Sequence, residues 1–250
     1  MRLRMRFTKL GKIRFVSHRD GARLWERALR KAGLPTAHSA GYTPRPKISF
    51  GLALPTGAES IAEYVDVELR DGASPDLDLH RVEFSDELRA EFVDELRTQL
   101  SGALPDGIDV TVVAIRHDAD DSLQEVVTSC TWELWSEHLA PADIEAATGL
   151  LDADRLMIER ERKGQRRIDD IRPAVVDLHP DVTGHRLVAE LATIGRALRP
   201  FELASLAFAD VDPLDVRALR TNQWISHDGD RREVLSLPAA MAAHTFRVGA

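Results

Sequence analysis

The sequence predicts an α+β protein with two tandem ferredoxin-like units, each a βαββαβ arrangement with an antiparallel sheet, followed by a C-terminal tail. Stretches with strand-like alternation and stretches with helical spacing follow one another in the order βαββαβ over residues 1–117. The same order recurs, with a short helical insertion, over residues 123–221, after a polar linker at 118–122. A length of 250 residues, 44% of them hydrophobic, suits two small domains. Residues 222–250 have little periodicity and are predicted to form the tail.

The strands of the first unit are predicted where apolar residues alternate with polar ones, at residues 3–7, 48–54, 65–69 and 108–112. In a βαββαβ sheet the first and third strands are antiparallel neighbours. The arginines of the first strand then face acidic side chains of the third, and such cross-strand pairs contribute roughly 0.2–1 kcal/mol each. We therefore expect a mostly structural role for these side chains, which are Arg2, Arg4, Arg6, Asp66 and Glu68.

The helix predicted up to Ala32 has clear signals at both ends. Ser17 followed three residues later by Asp20 predicts a capping box at its start, and Gly33 suits the position after its end. One face is apolar and is expected to pack in the core around Trp25. The opposite face is basic and consists of Arg19, Arg23, Arg27, Arg30 and Lys31. A second helix is predicted from Ser85, with Leu88, Phe92, Leu96 and Leu100 directed inward.

The second unit repeats this order of elements. Strands are predicted at 126–137, 155–162, 186–193 and 215–219. Helices are predicted from Pro141 to about residue 151 and from Pro200 to about residue 208, because proline suits the first turn of a helix. Residues 171–178 are predicted to be a short inserted helix. Within the tail, Trp224 offers an apolar anchor.

The net charge of −8 argues at first against a nucleic-acid partner, but this average hides two segments of opposite charge. Residues 1–51 have 13 basic and two acidic side chains, a net charge of +11. Residues 52–154 have five basic and 25 acidic side chains, a net charge of −20. Two interpretations stay open: the segments neutralise each other in one fold, or the basic segment binds a polyanion.

Several function classes are excluded by composition. The single cysteine, Cys130, leaves no intrachain disulfide, no cysteine-rich zinc site and no iron–sulfur cluster held by this chain alone. No apolar run approaches the roughly 20 residues of a membrane span, so no membrane partner is expected. The first residues lack the apolar segment of a secretory signal, and we expect a cytoplasmic protein.

The basic helix and the Pro-rich loop of residues 41–47 form the best candidate site, an interface for RNA or another phosphate-rich polymer. A helix N-terminus offers free N–H groups and the positive end of its dipole to an anion. A sheet beside a basic surface is a common RNA-binding geometry, although the aromatic motif of the RNA-recognition motif is absent. The predicted anion-binding residues are Arg14, Ser17, His18, Arg19, Arg23, Arg27, Tyr42, Arg45 and Lys47.

His18 is a weak catalytic candidate. Residues adjacent on one helical turn do not converge as a Ser/His/Asp triad does, so His18 with Ser17 and Asp20 is not predicted to be one. A lone His18 acting as a general acid or base, paired with Lys47 or Tyr42 of the loop, is more plausible than a triad. A structural role for His18, in capping or packing, is favoured over catalysis. The nine histidines lack metal-ligand spacing, and no metal site is predicted.

From Arg6 the chain reads RFTKLGKIRFVSHRDGARLWERALRKAGLPTAHSAGYTPRPKISFGLALPTGAESIAEYVDVEL. This run resembles the family of radical-SAM-linked proteins of unknown function, and the match extends over most of residues 1–220. Later runs similar to the family pattern are Asp170-Ile171-Arg172-Pro173 and Leu198-Arg199-Pro200-Phe201-Glu202. The chain departs from the family at Thr43 and Arg45, where Asn and His are common, which argues against a shared catalytic or ligand role at these positions.

The resemblance implies a partner rather than an enzyme. Members of the family are fused behind a cobalamin-binding radical-SAM enzyme or encoded beside one, often near genes for ribonuclease E/G and ribosomal proteins. Radical-SAM chemistry needs three thiolates on one cluster, and this chain has one cysteine. We therefore expect a non-catalytic, substrate-binding partner of a radical-SAM protein that modifies RNA, such as tRNA or rRNA, or a ribosome-associated target. The iron–sulfur cluster, S-adenosylmethionine and, in cobalamin-binding enzymes, cobalamin would belong to that partner, and this chain would bind none of them.

Two alternatives stay open. The predicted tandem arrangement also resembles that of the CRISPR repeat-RNA endonucleases, which implies an RNA-processing nuclease that uses His18. The protein could instead be a structural scaffold that docks a radical-SAM enzyme through its acidic surface and binds no nucleic acid.

Overall fold

The computed structural model describes residues 2–70, 86–116, 122–162, 164–193, 195, 197–227 and 230–236. The chain divides into two compact units. The N-terminal unit holds residues 1–56, 62–125 and 235–250, and the C-terminal unit holds residues 57–61 and 126–234. Helices and mostly antiparallel strands build both units, which confirms the α+β class.

The N-terminal unit has strands in the order β4–β1–β3–β2. Within it, β1 pairs with β4 and β2 pairs with β3, both in the antiparallel sense. Its elements are β1 (Arg2–Lys9), α1 (His18–Lys31), β2 (Ile48–Phe50), β3 (Glu59–Glu68), α2 (Asp86–Ala103), β4 (Val110–Arg116) and the short α3 (Leu123–Val126). A 3₁₀ turn at Gly11–Phe15 precedes α1. The predicted start of α2 at Ser85 lies outside the described residues.

α1 forms as its sequence predicts. The Ser17 hydroxyl accepts the backbone N–H of Asp20 at 3.2 Å, which satisfies one of the free donors of the first turn. Gly33 has a φ of +68°, a left-handed conformation that glycine adopts without steric cost, and it ends the helix. Trp25, Ala28 and Leu29 are buried against the sheet, so the predicted apolar face is confirmed.

The two faces of the N-terminal sheet have different roles. Alternate residues of β1 and β3, such as Phe7 and Val65, face the helices and join a core that α1 and α2 cover. The residues between them face the other side, where Arg4 forms two bonds of 2.7 and 2.8 Å with the Asp66 carboxylate. Arg2 approaches Glu68 on the same side at 3.7 Å. The predicted structural role of these two strand arginines is confirmed.

The C-terminal unit has antiparallel strands in the order β10–β5–β9–β8, and a separate two-stranded sheet, β6–β7. Glu59 and Ser60, from the start of β3, pair in parallel with Leu219 and Arg220 of β10. The elements are β5 (Val127–Trp135), α4 (Pro141–Thr148), β6 (Met157–Arg162), β7 (Gln165–Asp170), β8 (Val175–Pro180), β9 (Leu187–Ala192), α5 (Pro200–Ala207), β10 (Arg217–His227) and β11 (Asp230–Glu233).

The helix predicted at 171–178 is wrong. A 3₁₀ turn at Arg172–Ala174 leads into the strand β8, and the insertion is the hairpin β6–β7. The register of β8 shifts between Val175 and Asp177, so Ile171, Val175 and Leu178 are buried at spacings of four and three. This bulge replaces the alternation of a strand with the apparent period of a helix.

The tail predicted from Asn222 is wrong over its first part. β10 continues to His227, and β11 pairs with it at residues 230–233. Gln223 is fully buried in β10, as is Arg220, so polar side chains occupy two of its inward positions, after the apolar Ala218, and hydropathy alone does not mark them. Trp224 docks β10 onto β5, because its indole N–H donates to the Thr131 hydroxyl at 2.8 Å. Residues 237–250 lie outside the described part.

Arg160 links the inserted hairpin to α5. Its guanidinium is almost fully buried and lies 3.3 Å from the Asp169 carboxylate and 2.6 Å from that of Glu202. The neighbouring carboxylate of Asp170 accepts the backbone N–H groups of Leu156 and Arg172 at 2.9 and 3.0 Å. Glu202, from the family-like run 198–202, is thus part of this ion-pair cluster, and Asp170, from the run 170–173, binds backbone N–H groups next to it.

Candidate functional site

The exposed face of α1 presents a row of arginines. We call Arg19, Arg23 and Arg27 the arginine row; they follow one another at a spacing of four residues and all three are exposed. Arg23 forms an exposed ion pair of 3.0 Å with Asp20. No carboxylate among the described residues pairs with Arg19 or Arg27. Two positive charges about 12 Å apart, at 1.5 Å of rise per residue, therefore face solvent without a salt bridge to the described residues.

Asp20 lies next to Arg19 in the first turn of α1, and its surroundings favour the ionised carboxylate. A hydrogen bond from the Ser17 hydroxyl, 2.8 Å long, is the main cause that holds the pKa of the Asp20 carboxyl below its ordinary value. Arg23 and Arg19 lower this pKa further by charge attraction. The carboxylate neutralises part of the charge of Arg23, its salt-bridge partner, and attracts that of Arg19, whereas Arg27 is not among the causes of the Asp20 shift.

Exposed aromatic rings accompany the basic side chains. Phe15 is 61% exposed, and the Arg14 guanidinium lies 4.6 Å from its ring centre. Tyr42 is fully exposed at the tip of the Pro-rich loop. Aromatic rings and arginine planes of this kind stack on unpaired bases.

The loop of residues 36–47, here called the Tyr42 loop, is held as a narrow hairpin. The Lys47 N–H donates to the Ala37 carbonyl at 2.8 Å, and the Ser39 N–H donates to the Arg45 carbonyl at the same distance. The N–H of Ala37 also donates to the carbonyl of Glu68, at the end of β3. The loop therefore holds Tyr42 and Arg45 out from the sheet, and both side chains are exposed.

The predicted group of nine residues is divided between two faces of the sheet. Lys47 pairs with Glu68 at 2.8 Å, and Glu68 lies on the side opposite the helices, together with Arg2. His18 lies at the start of α1, on the helical side, and its ring packs edge-on against Phe50 at 5.1 Å between centres. The structure therefore gives Lys47 a carboxylate partner and His18 an aromatic one, and the acid–base pairing of His18 with Lys47 or Tyr42 stays a prediction.

A small cleft lies beside the first turns of α1. We call it the α1 cleft; its volume is about 50 Å³. Apolar side chains dominate its walls, and its polar lining consists of Lys9, Ser17, His18, Trp25 and Glu63. The Lys9 ammonium donates to the carbonyl of Val16 at 2.8 Å, which places a positive charge just before the helix.

Sequence reasoning missed Lys9 and Glu63 as neighbours of His18. A signal for both existed, since Lys9 continues the inward alternation of Leu3, Met5 and Phe7, and Glu63 continues that of Val65 and Val67. Glu63 is 8% exposed, an unusual burial for a carboxylate. The arrangement places a histidine, a lysine and a glutamate in one largely apolar cleft, a combination suited to binding polar groups.

Two kinds of feature are absent from the described residues. No group of three or more His, Cys, Asp or Glu side chains among them could hold a metal ion. None of the helices in the described part combines the length and hydropathy of a membrane span. Cys130 is a buried free cysteine in β5.

Comparison with known proteins identifies the family of the chain, and the description of that family names no function. No curated protein matches the chain. A family model matches residues 2–200, most of the chain, and its description is "Uncharacterized protein conserved in bacteria (DUF2344)". The chain therefore belongs to this family of conserved bacterial proteins.

Proposed function

We propose that the protein is a non-catalytic partner of a radical-SAM enzyme in the cytoplasm, and that it binds RNA or a ribosome-associated target for that enzyme. The observation that carries the proposal is the exposure of Arg19 and Arg27 on α1, with no carboxylate partner among the described residues. Phosphates of an RNA chain are the natural counter-charges for such a row.

The contrast with other arginines of the chain supports this assignment. Arg4, Arg160 and Arg186 each contact a carboxylate within 2.8 Å, so their charges are used inside the fold. In a chain with a net charge of −8, carboxylates are abundant, yet neither Arg19 nor Arg27 forms a salt bridge with one in the described part. A function outside the fold is a direct reason for this arrangement.

The exposed aromatic rings can add binding energy for RNA that does not depend on its base sequence. Phe15 beside Arg14 and Tyr42 at the tip of its loop offer faces on which unpaired bases stack, worth about 1–3 kcal/mol per base. A single-stranded or looped RNA fits such surfaces better than a duplex does, because its bases are free to stack.

The tandem ferredoxin-like description is part of the proposal. The strand orders β4–β1–β3–β2 and β10–β5–β9–β8 both follow the pattern fourth–first–third–second, once the inserted hairpin is set aside. That is the order expected of a βαββαβ unit. Sheets of this kind with an adjacent basic surface are common in RNA binding, by analogy of fold.

The link to a radical-SAM enzyme rests on the sequence resemblance. We propose that the enzyme supplies the iron–sulfur cluster, S-adenosylmethionine and, in cobalamin-binding enzymes, cobalamin. The acidic segment 52–154 is the proposed docking face; on α2 it exposes Glu91, Asp94 and Glu95. Co-purification of the enzyme with this chain after nuclease treatment tests the link, and loss of the enzyme on treatment would show that RNA alone joins them.

The RNA-binding proposal is tested by charge reversal with a matched control. Arg19→Glu/Arg27→Glu should weaken binding of tRNA or an rRNA fragment about tenfold or more at low salt. Arg166→Glu/Arg167→Glu makes the same charge change on the exposed strand β7 and should leave most of the affinity. Equal losses in both variants, or no RNA binding by the parent protein, would overturn the proposal. RNA cleavage that disappears in His18→Ala would instead favour the nuclease alternative.

A further inference from the structure

β4 is the edge strand of the N-terminal sheet. Among the described strands it pairs with β1 alone, in a regular register from Val112 to Arg116. In an antiparallel pair, alternate residues turn their N–H and C=O groups away from the neighbouring strand. No backbone hydrogen bond joins residues 112–115 to a further described segment. The outer side of β4 therefore offers a row of donors and acceptors to which an extended strand can pair.

The sequence of this edge lacks the features that usually prevent strand addition. Residues 110–115 read VTVVAI, with no charged residue and no proline. Ala114 and Ile115 are half-buried, so part of their apolar surface remains accessible beside the edge. The edge strand of the C-terminal sheet, β8, differs in this respect, because it contains the exposed Asp177 and ends at Pro180. The edge of β4 is thus open to pairing, whereas that of β8 is guarded.

The helix that packs on β4 is acidic. The Ser101 hydroxyl accepts the backbone N–H of Val110 at 2.9 Å, which fixes the end of α2 at the start of β4. The ten residues of α2 before Ser101 span about 15 Å and the five steps from Val110 to Ile115 about 17 Å, so the helix from Glu91 onward matches the strand in length. α2 has five acidic and two basic side chains, a net charge of −3. The exposed Glu91 and Glu95 form no salt bridge with a described residue.

We propose that the outer edge of β4 binds an extended, basic segment of the partner enzyme by strand addition, a refinement that rests on the proposed docking function. Backbone hydrogen bonds hold the segment in the sheet. Its lysine or arginine side chains face the carboxylates of α2, and its apolar side chains extend the surface of Val112 and Ala114 on the opposite side.

A second copy of this chain fits the same edge less well. Pairing of β4 with β4 of another copy would bring the two α2 helices together, because each helix packs on its own strand. Each α2 contributes a net charge of −3, and this repulsion opposes the pairing. A basic segment removes the repulsion and replaces it with attraction.

The experiment follows amide hydrogen exchange in the full chain at low salt, with two synthetic peptides of about eight residues as probes. One peptide alternates valine with lysine, and the other alternates valine with glutamate. The lysine peptide should slow exchange of the outward β4 amides about tenfold or more, and the glutamate peptide should leave it unchanged. Glu91→Lys should weaken binding of the lysine peptide severalfold, whereas Glu145→Lys, the same change at an exposed position of α4, should not.

N-methylation of the lysine peptide separates strand pairing from charge attraction. One derivative is methylated at the valine nitrogens and the other at the lysine nitrogens, so each has lost the N–H donors on one side of the strand. One derivative should lose binding and the other should keep it. Equal binding of both would show attraction to α2 alone and would overturn the proposal.

The remaining outcomes separate this proposal from the docking function. If the outward β4 amides are already protected in the isolated chain, another segment of this chain covers the edge when the protection is independent of protein concentration, and a second copy does so when it rises with concentration; either result overturns the proposal. If the enzyme co-purifies but the lysine peptide neither binds nor competes with it, the edge site is refuted and the docking function stands. If the peptide protects β4 but no enzyme co-purifies, the edge site stands and the docking function fails.

Discussion

Removal of the Asp66 carboxylate tests the structure of the N-terminal sheet. Asp66 accepts two bonds from Arg4 at 2.7 and 2.8 Å, and the two side chains are only 10% and 12% exposed. Asp66→Ala leaves the Arg4 guanidinium buried without this partner. Breaking a buried ion pair on one side costs about 3–5 kcal/mol, and the slight exposure here places the expected loss near 3 kcal/mol.

The assay is urea denaturation followed by circular dichroism, with a double variant for comparison. Arg4→Met/Asp66→Leu removes both charges and should cost less than Asp66→Ala alone, because no uncompensated charge remains. Lys47→Ala breaks the more exposed pair with Glu68 and should cost about 1 kcal/mol or less. A cost of Asp66→Ala as small as that of Lys47→Ala would refute the reasoning, since the bidentate pair would then behave as an ordinary surface contact.

Two further predictions concern stability. Gly21→Ala should stabilise the protein by about 1 kcal/mol, because alanine has the higher helix propensity and a Cβ atom at this position meets nothing within 4 Å. A melting temperature lower than that of the parent protein would show that the added methyl group does not fit beside α1. Asp170→Ala should lower the melting temperature at neutral pH, because the N–H groups of Leu156 and Arg172 hold the pKa of Asp170 below its ordinary value. This contribution is present above about pH 4 and is lost as the pH falls through the lowered pKa, so the difference in melting temperature between parent and variant should shrink in acid. A difference that stays constant with pH would argue against a stabilising role of the ionised Asp170 carboxylate.

The signals of α1 follow from the sequence because they depend on nearby residues, and the pairing of Arg4 with Asp66 follows from strand alternation combined with the strand order of a βαββαβ sheet. Ser17 caps the helix through a residue three positions away, and the alternation of β1 determines which side its arginines occupy. The bulge in β8 and the buried Gln223 of β10 were not predictable from hydropathy, since one changes the spacing of buried residues and the other buries a polar side chain.

The candidate site was predictable in part. The arginine row and the exposure of Tyr42 follow from helical spacing and from a proline-rich loop. The α1 cleft depends on Lys9 and Glu63, 54 positions apart in the sequence, and on the packing that leaves the Trp25 N–H without an acceptor. Such a cleft is a property of tertiary packing, and no single segment of the sequence contains it.

The salt dependence of RNA binding tests the central claim most directly. Each phosphate contact of a single-stranded RNA contributes about −0.7 to the slope of log K against log salt. If Arg19 and Arg27 contact phosphates, Arg19→Ala/Arg27→Ala should make the slope less negative by about 1.4. An unchanged slope, with RNA still bound, would contradict the assignment of the arginine row as the RNA-binding surface.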